Sequence, residues 1–402
     1  MGFIDSDAHV LECEDTWDHF DPSEREYRPI TLEYPGVTGP GADSRRQYYV
    51  IGGVMSRKFP PESQTWGYGK NYTADVSYLK TPSVRLREMD ETGVDVQVMF
   101  STLFLTVGVA HAAAEAAVSR SYNRWIAERT ADSGGRLRWV VVAPTLNMDR
   151  AIEEMEFGAK NGAAGVMLKA SGEHGRSMAD PYFHRLYSAA QDLNLTVCMH
   201  AGSKRTHFEG LPYPLDLNYR SPTGSSGAAT DCFGQVLGAN LQMRFPRLRF
   251  AYLELGSMWA PAVFTKLQRN LSLISDGRSP PPKGWVETPR GTAAVITPVD
   301  PAALLEEHNM YVACFTDEPL PFLTSFLGPD HLLLGSDMCH NDAGTDPLGH
   351  LTMMERTDID QAVARKICDD NGRRAYAIPK DFTPTGMTGA KAVRTPASTA
   401  SA

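Results

Sequence analysis

The sequence predicts an α/β protein, a (β/α)8 TIM barrel with long insertions after strands 1, 5 and 6. Three observations lead to this fold class. Eight short runs of mostly apolar residues alternate with helical patterns, and continuous apolar runs are typical of parallel strands buried on both faces. The chain has 402 residues, a length that suits one such barrel with insertions. Polar residues end several of the runs, where the active sites of these barrels lie.

The predicted elements follow one another in alternating order. The opening strand lies within 3–12, and the helix after the first insertion covers 76–91 and ends at Gly93, a residue type common at helix ends. Asp180 and Pro181 open the helix after strand 4 in the preferred cap-then-proline order. The remaining strands are predicted at 94–100, 138–144, 165–169, 196–200, 248–254, 310–315 and 332–337. The remaining helices are predicted at 108–132, from 149 to about 161, and at 228–241, 257–274, 320–326 and 358–376.

We expect a single domain over residues 1–380. Its three insertions, at 13–75, 201–226 and 275–300, are irregular segments punctuated by Gly and Pro. The first is too long and too aromatic for a passive linker, so we interpret it as a folded cover over one end of the barrel. The tail at 383–402 is rich in Thr, Ala, Ser and Gly and is therefore predicted to be disordered.

The composition indicates an ordinary soluble protein that acts on a small molecule. The net charge is −9, and no Lys/Arg-rich run indicates nucleic-acid binding. No apolar run approaches the roughly 18 residues of a membrane span, and no signal peptide is visible. The six cysteines are scattered without a paired motif, which is typical of reduced thiols in a cytoplasmic protein. We expect neither a membrane nor a nucleic acid as partner.

The opening stretch carries the first candidate metal ligands. Alternate side chains of a strand share one face, so Asp5, Asp7 and His9 point the same way. Three ionisable groups on one face of a buried strand require compensation, and a metal ion is the usual one. The alternative is a solvated edge strand in which the alternation is accidental.

Other predicted strands end in groups that can bind a metal. Lys169 ends strand 4, His200 ends strand 5, Glu254 ends strand 6 and Asp337 ends strand 8, with His340 three residues further on. Because the C-terminal ends of all barrel strands meet at one mouth, we expect these side chains to lie close to those of strand 1.

These segments resemble the motifs of the amidohydrolase superfamily. Asp7-Ala8-His9 is similar to the H-x-H of its first strand with Asp in place of the first His. His200-Ala201-Gly202 is similar to the strand-5 His, and Gly335-Ser336-Asp337 to the strand-8 Asp. The branch that contains aminocarboxymuconate-semialdehyde decarboxylase is the most similar, and the resemblance runs from Ile4 to about Ile378.

The resemblance implies a catalytic divalent metal held by His9, His200 and Asp337, with Asp7 in the remaining position of strand 1. It also implies that Asp337 takes a proton from water activated by the metal. This chemistry is physically reasonable, because a divalent cation lowers the pKa of bound water toward ~7. A carboxylate within hydrogen-bond reach then accepts the proton.

The sequence departs from the family pattern in its number of acids. Glu254 stands where many members of the branch have a His, and Asp5 and Glu12 add two more carboxylates. Oxygen-rich sites shift preference from zinc toward manganese or iron, and carboxylates can bridge two metals. We therefore expect one or two ions of Zn, Mn or Fe, with Glu12 and Glu254 as further ligands and Glu254 also as a catalytic group. The alternative is that Asp5 binds backbone or an arginine and Glu12 is solvated.

Further candidate residues follow the ends of the strands. We interpret Lys169 as a substrate-binding residue or a partner of an acid, although some superfamily members bridge two metals through a carboxylated lysine at this strand. His174 and Lys204 lie in loops on the same side and are candidates for binding an anionic substrate, with a surface position as the alternative. Glu318 follows strand 7 and is a candidate for supporting the site or binding substrate. His340 is a candidate catalytic group.

Three functions remain open on the sequence. The first is metal-dependent hydrolysis or non-oxidative decarboxylation of a small carboxylate or amide, with Asp337 as base. The second, which the resemblance to a carboxylate-rich subgroup implies, is a non-haem dinuclear iron (or Fe/Mn) monooxygenase that hydroxylates a small organic acid or its derivative. The third is a non-catalytic partner subunit of an active homologue. We expect a homodimer or a hetero-oligomer with a homologue.

Overall fold

The structure is a computed structural model that describes residues 2–35, 45–58, 72–170, 172–202, 224–275, 299–340 and 344–384. Its strands are β1 (Ile4–Val10), β2 (Ile30–Pro35), β3 (Arg45–Ile51), β4 (Val54–Lys58), β5 (Val96–Ser101), β6 (Leu137–Val142), β7 (Ala163–Lys169), β8 (Thr196–His200), β9 (Phe250–Leu253), β10 (Met310–Ala313) and β11 (Leu332–Leu333). Eight of them form one parallel sheet in the order β1-β5-β6-β7-β8-β9-β10-β11. The prediction of a (β/α)8 barrel is confirmed, and the strands are almost entirely buried.

The barrel closes where β1 meets the chain that follows β11. Ser6 N donates to Leu334 O at 3.0 Å, Asp337 N donates to Asp7 O at 2.8 Å, and His9 N donates to Met338 O at 2.9 Å. We call this contact between residues 6–9 and 334–338 the seam. Only Leu332–Leu333 is a regular strand there, so the predicted eighth strand is shorter than 332–337.

Helices alternate with the barrel strands, as predicted. They are α1 (Ala74–Ser77), α2 (Pro82–Thr92), α3 (Leu103–Thr106), α4 (Ala112–Thr130), α5 (Met148–Lys160), α6 (His184–Asp192), α7 (Gly224–Gly238), α8 (Ala260–Ser275), α9 (Pro301–Glu307), α10 (Leu320–Leu327), α11 (Gly349–Glu355), α12 (Gln361–Arg365) and α13 (Asn371–Ala375), with a π-helical turn at Lys366–Asp370. The predicted helix over 76–91 is wrong in one respect. It is two helices, because Leu79 has a φ of +46° and Pro82 starts α2.

The first insertion differs from the prediction of an irregular segment. Residues 30–58 contain a three-stranded antiparallel sheet, β2-β3-β4. Tyr49 and Ile51 of β3 are buried in the main core, and the Tyr49 ring meets Trp17 edge-on at 5.6 Å. The sheet packs on the barrel, as the interpretation of a folded cover requires.

The other predicted irregular segments lie almost wholly outside the described residues. This applies to 201–226, of which the described part from 224 belongs to α7, to 275–300, and to the tail at 383–402. After α13, the Tyr376 hydroxyl donates to Ser6 O of β1 at 2.7 Å. Among the described residues, no helix is long and apolar enough to cross a membrane.

Candidate metal centre

The C-terminal ends of β1 and β8 bring together three fully or almost fully buried ligands. Asp7 Oδ1 lies 3.4 Å from His9 Nε2 and 3.2 Å from His200 Nε2. The alternation of β1 orients Asp7 and His9, and His200 is the last residue of β8. These three predicted ligands form one of two groups in the described residues whose donor atoms lie close enough together to hold an ion.

Asp337 completes this arrangement from the other side of the seam. Its Oδ1 lies 3.3 Å from His9 Nε2, and its Oδ2 accepts a hydrogen bond from the Thr345 hydroxyl at 2.7 Å. A Cβ at position 335 would lie 2.4 Å from the Cβ of Asp7. The glycine of Gly335-Ser336-Asp337 therefore permits the close approach that brings Asp337 to His9.

Both histidines direct Nε2 toward the carboxylates of the site. His200 Nδ1 donates to Ala201 O at 2.7 Å, because a carbonyl can only accept, and His200 Nε2 lies 3.2 Å from Asp7 Oδ1. Without a cation Nε2 donates to Asp7; burial lowers the pKa of His200, but Asp7 outweighs this effect and raises that pKa. A cation would take the place of that proton. His9 is fully buried, and its Nε2 lies 3.4 Å from Asp7 Oδ1 and 3.3 Å from Asp337 Oδ1 without a well-aligned hydrogen bond to either. A buried imidazole that lacks a well-formed hydrogen bond is costly, and a metal ion bound to Nε2 would remove that cost. The donor set therefore fits a divalent cation.

The pKa shifts of Asp7 and His9 show which protonation states the site holds near pH 7. Burial raises the pKa of Asp7, but His200 and His9 outweigh this effect and hold the pKa well below its ordinary value. Burial and the neighbouring His340 lower the pKa of His9 to about 3. His9 is thus neutral near pH 7 and Asp7 is ionised, which are the states that bind a metal.

A second group adds Glu254 and His340 to His9 and Asp337, with their donor atoms within 4.8 Å of one another. His340 Nδ1 lies 2.7 Å from Asp337 Oδ1, and its ring stacks on His9 with centroids 3.8 Å apart. Glu254 Oε2 lies 3.5 Å from His200 Nδ1. The two groups share only His9, so the structure places six potential ligands around one mouth.

Asp5 and Glu12 lie outside both groups. Asp5 accepts hydrogen bonds from the backbone and hydroxyl of Ser336 and from Gln97, which agrees with the predicted alternative of a backbone-binding role. Glu12 is buried, not solvated, and accepts from the Ser101 hydroxyl and from Leu103 N at 3.0 Å. These hydrogen bonds hold the corner between β5 and α3, and a ligand role for Glu12 stays a prediction.

The predicted substrate residues have other partners within the protein. Lys169 Nζ donates to Val107 O at 2.8 Å and lies 3.8 Å from Glu173, as in the alternative of a lysine paired with an acid. His174 Nε2 lies 3.0 Å from Glu115, which with Glu173 outweighs burial and raises the His174 pKa. Lys204 lies outside the described residues.

Glu318 is buried, and donors of two neighbouring loops surround its carboxylate. Its carboxylate accepts hydrogen bonds from Ser257 N at 2.8 Å, Ser257 Oγ at 2.7 Å, Met258 N at 3.0 Å and Phe315 N at 3.0 Å. These donors belong to the loops that follow β9 and β10. Glu318 therefore supports the loop that begins at Glu254, as the alternative prediction for this residue states.

Sequence reasoning missed the residues that hold the ligands in place. Thr345 binds Asp337, Thr102 lies 3.0 Å from His340 Nε2, and Arg85 binds the backbone of His9. Threonine and arginine are common on surfaces, and none of these three belongs to a motif. No local pattern could have identified them.

Comparisons with known proteins agree with this geometry. The model of the amidohydrolase family matches residues 4–378, so the chain belongs to the amidohydrolase family. No curated protein matches the chain.

The solved structures that are similar have the same fold at low identity. An amidohydrolase of Mycobacterium avium subsp. paratuberculosis K-10 has a TM-score of 0.71 at 20% identity over 93% of this chain and 99% of that one. The 5-carboxyvanillate decarboxylase of Sphingomonas paucimobilis has a TM-score of 0.58 at 16% identity over 94% and 99%. The dihydroxybenzoic acid decarboxylase of Polaromonas sp. JS666, with bound manganese and 2-nitroresorcinol, has a TM-score of 0.56 at 16% identity over 94% and 97%.

Proposed function

We propose that this chain is a metal-dependent enzyme that decarboxylates, without oxidation, or hydrolyses a small carboxylate or amide. One observation carries the proposal. Asp7 Oδ1 and Asp337 Oδ1 both lie within 3.4 Å of His9 Nε2, and His200 Nε2 lies 3.2 Å from Asp7 Oδ1. This cluster sits at the mouth of a barrel, where such enzymes act.

Asp7, His9, His200 and Asp337 would hold the metal. When bound, a divalent metal acts as a Lewis acid toward substrate oxygens and lowers the pKa of bound water. Two carboxylates and two imidazoles suit Mn²⁺, Zn²⁺ or Fe²⁺. Manganese receives support from the Polaromonas decarboxylase, which contains it.

Asp337 and His340 would move the proton that either reaction requires. Hydrolysis needs a base for water, and decarboxylation needs an acid to protonate the carbon that loses CO₂. Asp337 Oδ1 lies 2.7 Å from His340 Nδ1, so a proton accepted by one can be passed to the other. The Thr345 hydroxyl fixes the second oxygen of Asp337, which leaves Oδ1 directed toward the mouth.

Decarboxylation of a small aromatic carboxylate is the reaction that we test first. Two of the similar structures are decarboxylases of aromatic acids. Loss of a carboxyl group needs the elements that this mouth offers, a cation site beside a proton carrier. Lys169, whose side chain is 14% exposed, remains a candidate contact for an anionic substrate.

An oxygen-dependent hydroxylase is the second candidate, and the Glu254–His340 group favours it. A mononuclear site is complete with the four ligands already described. Glu254 and His340 provide two further donors on the open side, as a second iron or manganese ion would require. In this candidate the substrate is a small organic acid or its derivative, and oxygen is consumed.

Metal analysis and product assays distinguish these candidates. The chain would be purified without added metal, analysed for Zn, Mn and Fe, and incubated with a panel of aromatic carboxylates and amides. Release of CO₂ or of amine with about one metal per chain and without oxygen uptake supports the first proposal. Oxygen uptake with about two metals per chain supports the second. Absence of all turnover in the metal-loaded chain, restored only by a homologue, would instead identify a partner subunit.

We further propose a cytoplasmic homodimer or a hetero-oligomer with a homologue. All six cysteines are free and buried, which supports a reducing compartment. Light scattering of the purified chain, alone and after co-expression with a homologue, measures the oligomeric state directly. A monomer under both conditions would contradict the proposal.

A further inference from the structure

Arg85 of α2 is a completely buried arginine beside the candidate metal centre. A guanidinium group carries a full positive charge and five donors, and it is costly to bury unless those donors are used. Its position therefore needs an explanation that packing alone does not give.

Its donors contact His9 on one side of the seam and Cys339, which directly follows the other side. Nη2 donates to His9 O at 2.9 Å, and Nη1 contacts Cys339 Sγ at 3.1 Å. Nη1 also lies 3.4 Å from Val76 O, at the end of α1. His9 belongs to β1, whereas Cys339 lies between Asp337 and His340. One planar group thus connects the two segments that supply ligands from opposite sides.

The fourth contact of the guanidinium extends the connection into the barrel. Nε donates to Gln97 Oε1 at 2.7 Å, and Gln97 Nε2 donates to Asp5 Oδ2 at 2.9 Å. Asp5 in turn accepts from Ser336 N at 2.8 Å. Arg85 is therefore joined through Gln97 and Asp5 to the residue that precedes Asp337.

The segment after β11 needs such support. Asp337 has a φ of +49° and Cys339 a φ of +77°, conformations that residues other than glycine adopt only when their surroundings hold them. β11 itself has two residues, so few ladder hydrogen bonds stabilise the segment. The contact of Arg85 with Cys339 acts in the middle of this strained turn.

We propose that Arg85 is a positioning residue of the metal centre, whose guanidinium fixes His9 and the Asp337–His340 turn relative to each other across the seam. The inference rests on the proposed metal-dependent function and adds to it a residue that touches neither metal nor substrate. The planar shape of the guanidinium matters because its three nitrogens contact Gln97, Cys339 and His9 at the same time. A lysine at this position keeps the charge but cannot reproduce these contacts.

The test measures Mn²⁺ binding by the protein with isothermal titration and with the electron paramagnetic resonance spectrum of the bound ion. The variants are Arg85→Met and Arg85→Lys. The matched control is Arg136→Met, because Arg136 is also buried and donates to the backbone of Val94 and Asp95. Arg136 precedes β6 and thus lies at the opposite end of the barrel.

We expect Arg85→Met to weaken Mn²⁺ binding at least about tenfold, as loss of groups that orient ligands does, and to change the spectrum of the bound ion. Arg85→Lys should lie closer to Arg85→Met than to the wild type. Arg136→Met should lose stability but keep the wild-type affinity and spectrum. If Arg85→Met does not fold, the Mn²⁺ affinity and the spectrum of Arg85→Lys test the inference.

Two results would overturn the inference, and they are distinguishable from each other. If the Arg85 variants bind Mn²⁺ with wild-type affinity and spectrum, Arg85 is merely structural and the proposed function is unaffected. If the wild type binds no Mn²⁺, Zn²⁺ or Fe²⁺, the proposed function fails, and the inference fails with it.

Discussion

His9 is the residue at which the two potential ligand groups meet. It contacts Asp7 and Asp337 through Nε2 and stacks on His340. Its low pKa follows from burial and from His340, so its imidazole is neutral near pH 7. The carboxylates on either side then determine which cation binds and how firmly.

Asp337→Asn should lower turnover at least about 100-fold, because the amide can neither accept the proton nor neutralise a cation. The Thr345 hydroxyl can still donate to the amide oxygen, so we expect the fold to remain. Turnover and circular dichroism measure the two effects. Asp346→Asn is the matched control, since Asp346 lies in the same loop and binds Thr316 and not His9. Unchanged turnover in Asp337→Asn would refute the site.

The raised pKa of the Glu12 carboxyl leads us to expect that the stability of the metal-free protein depends on pH. Burial raises the pKa of its carboxyl from 4.5 to about 7. Between these values the folded protein binds more protons than the unfolded chain, so the free energy of unfolding falls as the pH rises. Glu12→Gln removes this titration. Between pH 4.5 and pH 8, the wild type should lose on the order of 3 kcal/mol more than the variant.

Urea unfolding at several pH values in the presence of a chelator measures this difference. Glu14→Gln is the control, because the Glu14 side chain is 53% exposed and its pKa is not raised. Parallel pH profiles of the wild type and Glu12→Gln would show that Glu12 is ionised in the folded protein across this range.

At the scale of elements, the ends of the strands differ in how they are held. β8 ends in regular pairing with β7 and β9, and His200 needs little further support. β9 ends at Leu253, and Glu254 follows with a φ of +54°. The loop after β9 therefore depends on the four hydrogen bonds that Glu318 accepts from it and from Phe315.

Glu318→Ala should lower the free energy of unfolding by about 3 kcal/mol, because it leaves several buried donors without an acceptor. It should also reduce turnover through displacement of Glu254. Urea unfolding and steady-state kinetics measure these effects. Asp317→Ala is the control, since Asp317 is exposed, and it should change stability by less than about 0.5 kcal/mol. Equal stabilities of the two variants would contradict the role assigned to Glu318.

At the scale of the whole molecule, the candidate metal site joins strands from opposite sides of the barrel. Asp7 and His9 come from β1, His200 from β8, and Asp337 from beyond β11. A cation at this point crosslinks segments that are far apart in sequence. Metal binding should therefore stabilise the entire fold and not a single loop.

Mn²⁺ at about 100 times its dissociation constant should raise the free energy of unfolding of the chelator-treated protein by about 2.7 kcal/mol. The increase should be lost in Asp337→Asn and retained in Asp346→Asn. Urea unfolding with and without Mn²⁺ provides the measurement. An equal increase in both variants would indicate that the cation binds elsewhere.

The sequence by itself determined the barrel, the order of its strands and the residues at their ends. These features are local, because a buried strand requires an apolar run and a metal ligand at its end interrupts that run with a polar residue. Asp7, His9, His200, Glu254, Asp337 and His340 could be selected in this way, and the structure brings all six together.

Only the tertiary structure decided which polar residues face the centre and which support it. Glu12 and Glu318 carry the same carboxylate as Glu254, yet both are directed to backbone donors. No local sequence pattern predicted the sheet within 30–58 or the contacts of Arg85. The physical reason is that these roles arise from contacts across the seam and between loops, where the partner of a side chain depends on how distant segments pack.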